Sequence, residues 1–325
     1  MPFDDASFAR LFADIQQAHT VLRPHLAVTP LTYSPALSAL SGCELYLKCE
    51  HLQHTGSFKF RGASNKVRLL NAQQRRDGVI TASSGNHGQG VALAGRQAGV
   101  PVTVYVSSSA STLKIDAMRS LGANVITLDT DSLNVELEAS RQAKAQGKLF
   151  ISPYNDLQVI AGQGTIGMEL FEQQPELDAV FVATGGGGMI SGIGTALKQQ
   201  RPGIDMVGCW PANAPTLQRS LAAGEIIEMQ EDDTLSDGTA GGVEPGSITF
   251  PMCQRLVAAT VLVSEDEIRA AMKLVARHER WIIEGAAGVA LASALKSAPA
   301  YQGKRVAVVL CGRNILLDKF LGAIQ

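Results

Sequence analysis

The segment Ala179-Val180-Phe181-Val182-Ala183-Thr184-Gly185-Gly186-Gly187-Gly188 joins a continuous apolar run to four consecutive glycines. The apolar run predicts a buried strand, and the residues from Ile190 onward predict a helix. Each glycine costs extra conformational entropy on folding, so four in a row at a strand-to-helix turn indicate a function. Their backbone N–H groups at the start of a helix suit a bound phosphate.

A dinucleotide-binding turn is the competing interpretation of these glycines. The GxGxxG pattern can be matched only loosely around them. Cys209-Trp210 stands where such a fingerprint has an acidic residue, roughly 20 residues further on. The sequence therefore supports an NAD-dependent enzyme only weakly.

Short apolar strands and helical patterns alternate on both sides of this unit. Strands are predicted at 44–48, 79–81, 102–106, 124–128, 149–151, 179–183, 206–209, 260–263 and 305–310. Helices are predicted at 8–18, 88–99, 112–121, 133–146, 158–173, 190–200, 265–278, 286–296 and from 314 onward. This alternation predicts βαβ units and an α/β fold, with two parallel-sheet layers that share a cleft. Residues 224–250 break the pattern, and we expect an irregular segment with a functional role.

The composition describes a nearly neutral globular protein. The chain is 46% hydrophobic and 18% charged, with a net charge of -2. Such a chain offers no basic surface to nucleic acid, and no apolar run approaches the ~20 residues of a membrane span. Its five cysteines include no CxxC pair, so neither a zinc site nor a disulfide framework is indicated. We expect a soluble, cytoplasmic protein whose partner is a small molecule.

A lysine between two phenylalanines is the second notable feature, in Ser57-Phe58-Lys59-Phe60-Arg61-Gly62. Taken alone, a lysine at the start of a helical pattern is most simply a surface residue. Burial beside the aromatic rings would instead lower its pKa and free an amine for Schiff-base chemistry.

Two further strand ends carry polar sequence, and ligands of open parallel sheets bind at the carboxyl ends of strands. Ser83-Ser84-Gly85-Asn86-His87-Gly88-Gln89-Gly90 begins a helix, either as ordinary caps or as a cradle for a carboxylate. Cys311 ends the last strand, either as an inert buried thiol or as a weak donor to a ring nitrogen. A Schiff-base lysine, a phosphate nest, a carboxylate cradle and this thiol together describe pyridoxal phosphate with a bound amino acid.

These motifs, with Ala161-Gly162-Gln163-Gly164-Thr165, resemble the fold-type II pyridoxal-phosphate enzymes, and within them the threonine/serine dehydratase and serine racemase family. The resemblance implies the tryptophan synthase β-like architecture, in which the cofactor lies between two open parallel-sheet α/β domains. It implies a large cofactor-binding domain of residues 1–68 and 147–325 and a small α/β domain of residues 69–146. It also implies a homodimer.

The resemblance assigns roles to individual residues. Lys59 would hold the cofactor as a Schiff base and move the α-proton of the substrate. The implied cofactor-binding residues are Phe58, Lys59, Asn86, Gly185, Gly186, Gly187, Gly188, Met189, Gly238, Glu284 and Cys311. The implied substrate-binding residues are Ser83, Ser84, Asn86 and His87. A weak donor at Cys311 leaves the ring nitrogen largely unprotonated, which favours loss of the β-substituent over transamination.

The implied reaction is that of an ammonia-lyase, in which L-threonine or L-serine is dehydrated to a 2-oxo acid and ammonia. Ser84 stands where the racemases of the family have a catalytic serine, so amino acid racemisation is the alternative. Trp210 and residues 238–245 depart from the usual threonine dehydratase sequence. They leave open a specialised substrate such as 3-hydroxyaspartate or a hydroxyectoine-derived amino acid. The candidates for a second carboxylate are Arg61, Arg313 and His54.

The family also often carries a divalent-cation site after the strand that ends at Cys209. Trp210 and Thr216 replace the glutamate and aspartate of that site. Hard cations prefer charged oxygen ligands, so we expect no metal there.

Overall fold

The computed structural model describes residues 3–108 and 110–325 of the chain. The strands in these residues are β1 Leu31–Tyr33, β2 Glu44–Lys48, β3 Val79–Ala82, β4 Val102–Ser107, β5 Asn124–Leu128, β6 Leu149–Ile151, β7 Ala179–Ala183, β8 Asp205–Pro211, β9 Val257–Val263 and β10 Arg305–Val309. The helices are α1 Asp5–Leu22, α2 Pro35–Ser41, α3 Lys59–Arg68, α4 Ala72–Asp77, α5 Asn86–Ala98, α6 Thr112–Ser120, α7 Ser132–Ala145, α8 Leu157–Gln173, α9 Gly188–Gln200, α10 Thr216–Ala223, α11 Thr249–Leu256, α12 Glu265–His278, α13 Gly285–Ser297 and α14 Leu317–Ile324.

The larger sheet orders its strands β1-β2-β10-β7-β8-β9. β1 is antiparallel to β2, whereas every other neighbouring pair is parallel. All five residues of β7 are buried, and α9 and α13 pack against this strand. Burial on both faces explains why β7 is a continuous apolar run rather than an alternating one.

The smaller sheet orders its strands β5-β4-β3-β6, and all its pairs are parallel. β3 lies inside this sheet, with Val79 opposite Val102 on one side and Leu149 on the other. The two parallel sheets and their helices confirm the predicted α/β fold.

Helices α3 and α8 cross at a pair of glycines, Gly62 and Gly162. A β-carbon on Gly162 would lie 2.5 Å from the Cα of Gly62, and one on Gly62 would lie 2.8 Å from the carbonyl of Val159. The helices can approach this closely only because both positions lack a side chain. The crossing fixes α3, whose first residue is Lys59, against the long helix α8.

Several predicted boundaries are wrong. The first helix, predicted at 8–18, spans Asp5–Leu22. The strand predicted at 260–263 begins at Val257, because α11 ends at Leu256 with no turn residue between helix and strand. The last helix begins at Leu317 rather than at Asn314. The backbone and side chain of Asn314 are engaged in hydrogen bonds with Glu284 and Thr55 instead.

Four short helices are absent from the sequence prediction, namely α2, α4, α10 and α11. Helix α4 has no buried residue and begins with a capping box between Asn71 and Gln74. Short helices of this kind give too few turns for an apolar period to stand out. The irregular segment is confirmed, since residues 225–248 form neither helix nor strand.

The division of the chain into two domains stays a prediction. Strand β6 pairs with β3, so the smaller sheet reaches beyond residue 146. Phe60 and Val67 of α3 also belong to the apolar core around that sheet. Within the described part of the chain, no helix has the length and apolar character needed to cross a membrane.

Candidate active site

The loops that follow β3, β7 and β10 open into one cavity of about 510 Å³. Residues from both sheet layers line it. They include every residue that the sequence assigned to the site: Phe58, Lys59, Ser83, Ser84, Asn86, His87, Gly185, Gly186, Gly187, Gly188, Met189, Gly238, Glu284 and Cys311. The fold thus brings these residues together, while the individual roles assigned to them stay predictions.

Lys59 lies in the wall of the cavity at the first turn of α3. Its Nζ donates a hydrogen bond of 2.9 Å to the carbonyl of Pro153 and lies 5.3 Å from the centre of the Phe58 ring. Burial lowers the pKa of Lys59 to about 8 because the charged amine loses its hydration. A substantial fraction of the amine is therefore neutral just above physiological pH.

The Lys59 loop is tied to the Cys311 loop through the backbone. The N–H of Phe58 donates to the carbonyl of Cys311 at 3.1 Å, and the N–H of Arg313 donates to the carbonyl of Gly56 at 2.9 Å. These bonds surround an isolated antiparallel bridge between Ser57 and Gly312. The lysine and the thiol, more than 250 positions apart in sequence, are therefore placed at the same end of the larger sheet.

Below Lys59, a buried ionic network holds the start of α3. The guanidinium of Arg61 donates paired hydrogen bonds to Glu50, at 2.7 and 2.8 Å, and to Glu169, at 2.7 and 2.9 Å. Lys48 also donates to Glu169, at 2.5 Å. All four side chains are buried. The network fixes the backbone two residues beyond Lys59, so Arg61 is a positioning residue.

The N terminus of α5 forms a second wall of the cavity. Gly85 precedes the helix, and no side chain of the described residues caps it. A β-carbon on Gly88 would lie 2.4 Å from the sulfur of Met118, and one on Gly90 would lie 3.1 Å from the backbone of Lys59. Gly90 lets the helix start lie against the backbone of Lys59, and Gly88 lets it lie against Met118 of α6. The uncapped N–H groups there suit a carboxylate.

His87 contributes less to this cradle than its chemistry suggests. Burial, with Lys59 as a second cause, lowers the pKa of His87 to about 3, so the ring is neutral. Its Nε2 lies 3.2 Å from the carbonyl of Ile151, which can only accept, so the single ring proton is on Nε2. In that tautomer Nδ1, which has no partner among the described residues, carries no proton. The ring in this arrangement then offers a carboxylate no donor, whereas the backbone N–H of His87 does.

The four glycines form the third wall, at the start of α9. A β-carbon on Gly186 would lie 2.4 to 2.6 Å from three atoms of the Tyr154 ring, and Gly187 has a φ of +86°. Neither position accepts an ordinary side chain. No side chain in the described part of the chain caps this helix. Its open N–H groups and positive dipole end suit a phosphate.

At the bottom of the cavity, Glu284 connects three residues. It accepts from the Asn86 amide at 2.9 and 3.0 Å, from the backbone N–H of Asn314 at 3.2 Å, and from the Cys311 thiol at 3.7 Å. Burial raises the pKa of Glu284 to about 7. Burial, together with Glu284, raises the pKa of the Cys311 thiol well above its usual value. Cys311 is therefore a neutral, weak donor.

A family model described as pyridoxal-phosphate dependent enzyme matches residues 22–312. The chain belongs to that family. It is 41% identical to an L-threonine ammonia-lyase of Thermotoga maritima, over 95% of this chain and 77% of that protein. It is 36% identical to a serine racemase of Arabidopsis thaliana, over 95% of this chain and 94% of that protein.

The three-dimensional comparison agrees with the family assignment. The structure of the processed form of threonine deaminase isoform 2 from Solanum lycopersicum superposes with a TM-score of 0.92 at 34% identity, covering 98% of this chain and 93% of that one. The predicted tryptophan synthase β-like, fold-type II architecture is confirmed, and so is the predicted dependence on pyridoxal phosphate.

The residues around the cavity fit this cofactor. A β-carbon would lie within 3.1 Å of Thr239 at Gly185, of Tyr154 at Gly186 and Gly188, and of Cys253 at Gly187, so this turn is bare backbone, whose N–H groups suit a phosphate. The buried amine of Lys59 is suited to Schiff-base formation. The neutral thiol of Cys311 supplies a weak donor for the ring nitrogen. One cavity therefore holds a group for each end of the cofactor.

The cavity residues that the sequence analysis missed include Glu136, Lys114 and Asn314. Glu136 lies on α7, and burial, with Glu244 as a second cause, raises its pKa to about 7. Asn314 donates to the Asn86 side-chain oxygen at 2.6 Å. Glu136 and Lys114 lie in no glycine-rich turn or recognisable motif, whereas Asn314 closely follows the Cys311 strand end. Only proximity in the folded chain identifies the first two.

The candidates for a second carboxylate are placed elsewhere. Arg61 is engaged with Glu50 and Glu169, and neither Arg313 nor His54 is among the described residues that line the cavity. The positions of the family's cation site are also occupied by other contacts. Trp210 is buried with its ring against Gly208, and the Thr216 hydroxyl donates to Glu231. The absence of a metal there stays a prediction.

Proposed function

We propose that this pyridoxal-phosphate-dependent enzyme is an ammonia-lyase that dehydrates L-threonine and L-serine to 2-oxo acids and ammonia. The observation that supports it most directly is the placement of the partly neutral amine of Lys59 in one cavity with a neutral thiol. Identity of 36 to 41% to proteins named threonine ammonia-lyase or threonine dehydratase also supports it.

Lys59 carries the proton transfers in this proposal. When bound, pyridoxal phosphate withdraws electrons from the bond between the substrate's α-carbon and its hydrogen. The Lys59 amine, with a pKa of about 8, then takes the α-proton. A base works best when its pKa is near the operating pH, because it is then available without being too weak. Its bond to the Pro153 carbonyl holds the amine inside the cavity.

The start of α5 binds the substrate carboxylate. Ser83 and Ser84 offer hydroxyl groups, and the uncapped backbone from Asn86 offers N–H groups together with the helix dipole. The Asn86 side chain is held from two sides, by Glu284 and by Asn314. It is thus oriented before a ligand arrives, which lowers the cost of ordering it on binding.

The neutral thiol of Cys311 directs the outcome of the reaction. A weak donor leaves the cofactor nitrogen largely unprotonated, and this limits delocalisation of negative charge away from the α-carbon. Prompt loss of the β-hydroxyl is then favoured over transamination. The Cys311 thiol donates to Glu284 and burial keeps it un-ionised, so Glu284 competes with the ring nitrogen for the single thiol proton and keeps Cys311 a weak donor.

Amino acid racemisation is a second candidate, and the exposure of Ser84 to the cavity favours it. A hydroxyl that can return a proton to the α-carbon would convert part of an L-amino acid to its D-enantiomer. Several structurally similar proteins are serine racemases. We therefore propose racemisation as a side activity of the same site.

A panel of β-hydroxy amino acids tests the main proposal. Purified holoenzyme is expected to release 2-oxo acid from L-threonine and L-serine, and 3-hydroxyaspartate is expected to be a poorer substrate. Lys59→Ala should lose both this activity and the cofactor absorbance near about 410 nm. Lys66→Ala is the matched control, because Lys66 lies on the same helix and pairs with Asp156. Chiral analysis of the serine that remains tests racemisation, which is refuted if no D-serine exceeds the control.

We further propose that the protein is a cytoplasmic homodimer. The support for the compartment is the set of five buried cysteines, all of them free thiols, which suit a reducing environment. The support for the dimer is the family resemblance. Light scattering of the eluting holoenzyme at several concentrations checks the dimer, and a mass of one chain throughout would contradict it.

A further inference from the structure

The irregular segment 225–248 follows α10 and reaches the cavity. Its part between Asp237 and Gly242 lines the cavity. This part contacts the smaller sheet layer at both of its ends. At one end, the Nζ of Lys114 on α6 lies 2.8 Å from Oδ2 of Asp237. At the other, a β-carbon on Gly242 would lie 3.2 Å from the side chain of Leu133 on α7.

Lys114 also lies beside the proposed carboxylate cradle. Its Nζ is 4.0 Å from the position that a β-carbon would take on Gly85. Ser111 caps its helix, and the Ser111 hydroxyl accepts from the backbone N–H of Lys114. The lysine side chain is 23% exposed and the aspartate side chain 49% exposed. A single ion pair therefore joins the cradle in one layer to the cavity strap, residues 237–242, in the other.

We propose that the Lys114–Asp237 ion pair positions the cavity strap against the α5 cradle when an amino acid is bound. The two partners belong to opposite walls of the cleft, so the pair stabilises only arrangements in which the walls are close together. A ligand that needs both walls binds more weakly when this arrangement is less populated. Lys114 and Asp237 are positioning residues here, since neither is assigned a contact with the reacting atoms.

The inference rests on the proposed function, because it assumes that an amino acid binds in this cavity. Glycine is a suitable probe, since it has a carboxylate and an amine but no β-hydroxyl to eliminate. Its dissociation constant is measured on holoenzyme from the change in cofactor absorbance. The KM and kcat for L-threonine are measured in parallel.

Lys114→Met and Asp237→Asn are each expected to raise the glycine Kd and the threonine KM by roughly two- to five-fold, the range for partly exposed ion pairs. The change in kcat is expected to be smaller. Lys114→Arg should retain near-parent values, because it keeps the charge. The double variant that exchanges the two charges, Lys114→Asp with Asp237→Lys, should recover part of the affinity for glycine that Lys114→Asp alone loses.

Arg119→Met is the matched control, because Arg119 lies on the same helix and pairs only with Asp116 in the described chain. Unchanged glycine Kd in Lys114→Met relative to this control would overturn the inference. It would also be overturned if Asp237→Asn had no effect while Lys114→Met did, since Lys114 would then act on the ligand itself. If the parent protein binds glycine but releases no 2-oxo acid, the proposed function fails while the Kd comparison still decides the role of the pair.

Discussion

Replacing Arg61 with methionine is expected to destabilise the protein far more than any surface arginine. The guanidinium is fully buried and makes two hydrogen bonds to each of Glu50 and Glu169. Methionine fills much of the same volume but provides no charge. Glu169 would keep Lys48 as a partner, whereas among the described residues the carboxylate of Glu50 would keep only the hydroxyl of Thr29 as a side-chain donor.

Breaking a buried ion pair by removing one partner costs about 3–5 kcal/mol, because a charge is left without compensation. We expect Arg61→Met to lie in this range. The double variant Arg61→Met with Glu50→Gln also removes the carboxylate that has lost its charged partner, so it should recover part of the lost unfolding free energy. Surface substitutions usually stay within about 0.5 kcal/mol, so Arg119→Met serves as the control.

The loss of stability in Arg61→Met should also depend on pH. In the parent protein, burial alone would raise the pKa of Glu169, but Arg61 and Lys48 outweigh it and hold the pKa below its ordinary value. Stability from such a group is present above the unfolded pKa and is lost as pH falls through the folded pKa. In Arg61→Met this contribution of Glu169 is weakened. The difference in the free energy of unfolding between the parent protein and Arg61→Met should therefore become smaller at acid pH.

Guanidinium chloride denaturation of holoenzyme at fixed excess cofactor measures these differences, since a constant ligand concentration holds its own stabilisation constant. The buried indole of Trp210 provides a fluorescence signal. A difference below about 1 kcal/mol between Arg61→Met and Arg119→Met would refute the argument, because a network worth so little could not fix the start of α3. A stability difference between the parent protein and Arg61→Met that is the same at acid and neutral pH would refute the electrostatic part of the argument.

Three other outcomes follow from the site. Gly186→Ala should weaken cofactor binding by at least about tenfold. The added methyl group would meet the Tyr154 ring, and displacing that ring costs more than about 1.4 kcal/mol. Spectral titration of the cofactor measures its dissociation constant, and Gly203→Ala is the control because a β-carbon at Gly203 lies in open space. Cofactor uptake by the apoenzyme should speed up as pH rises toward about 8, where the Lys59 amine becomes neutral, and stopped-flow traces flat with pH would contradict this. Magnesium or calcium should leave the Tm of the holoenzyme unchanged. Glu231 contacts Thr216 at the position of the family's cation site, but its carboxylate already accepts hydrogen bonds from the Thr216 hydroxyl and from the backbone N–H of Gly241. A clear rise in Tm with either cation would contradict this prediction.

Those parts of the fold with a local cause could be predicted from the sequence. The strands of both sheets are short apolar runs, and a buried parallel strand needs such a run whatever its partners are. At the glycines before α9, and at Gly88 and Gly90 in α5, a β-carbon would lie 3.1 Å or less from a backbone or side-chain atom. Because no other residue satisfies these contacts, the turns are visible in the sequence without knowledge of the fold.

The parts that could not be predicted depend on distant partners. Arg61 is a reasonable candidate for a second carboxylate until Glu169, 108 positions away, is found against it. Glu136 and Lys114 lie on helices whose residues are otherwise ordinary. Their importance comes from which wall of the cavity the helix packs against, and that is a property of tertiary structure.

The helices of this protein that lack a side-chain cap at their N terminus connect its fold to its chemistry. Among the described helices of nine or more residues, a side chain caps the starts of α1, α6, α7, α8 and α12. No side chain caps the starts of α3, α5, α9 and α13, and each of these begins at residues that line the cavity. Helix α6 is the exception, since its cap residue Ser111 also lines the cavity. A missing cap costs about 1 kcal/mol, so four of them at one site are unfavourable unless a ligand accepts from the exposed N–H groups. A phosphate and a carboxylate are the groups that such helix ends bind best, and pyridoxal phosphate with an amino acid carries one of each.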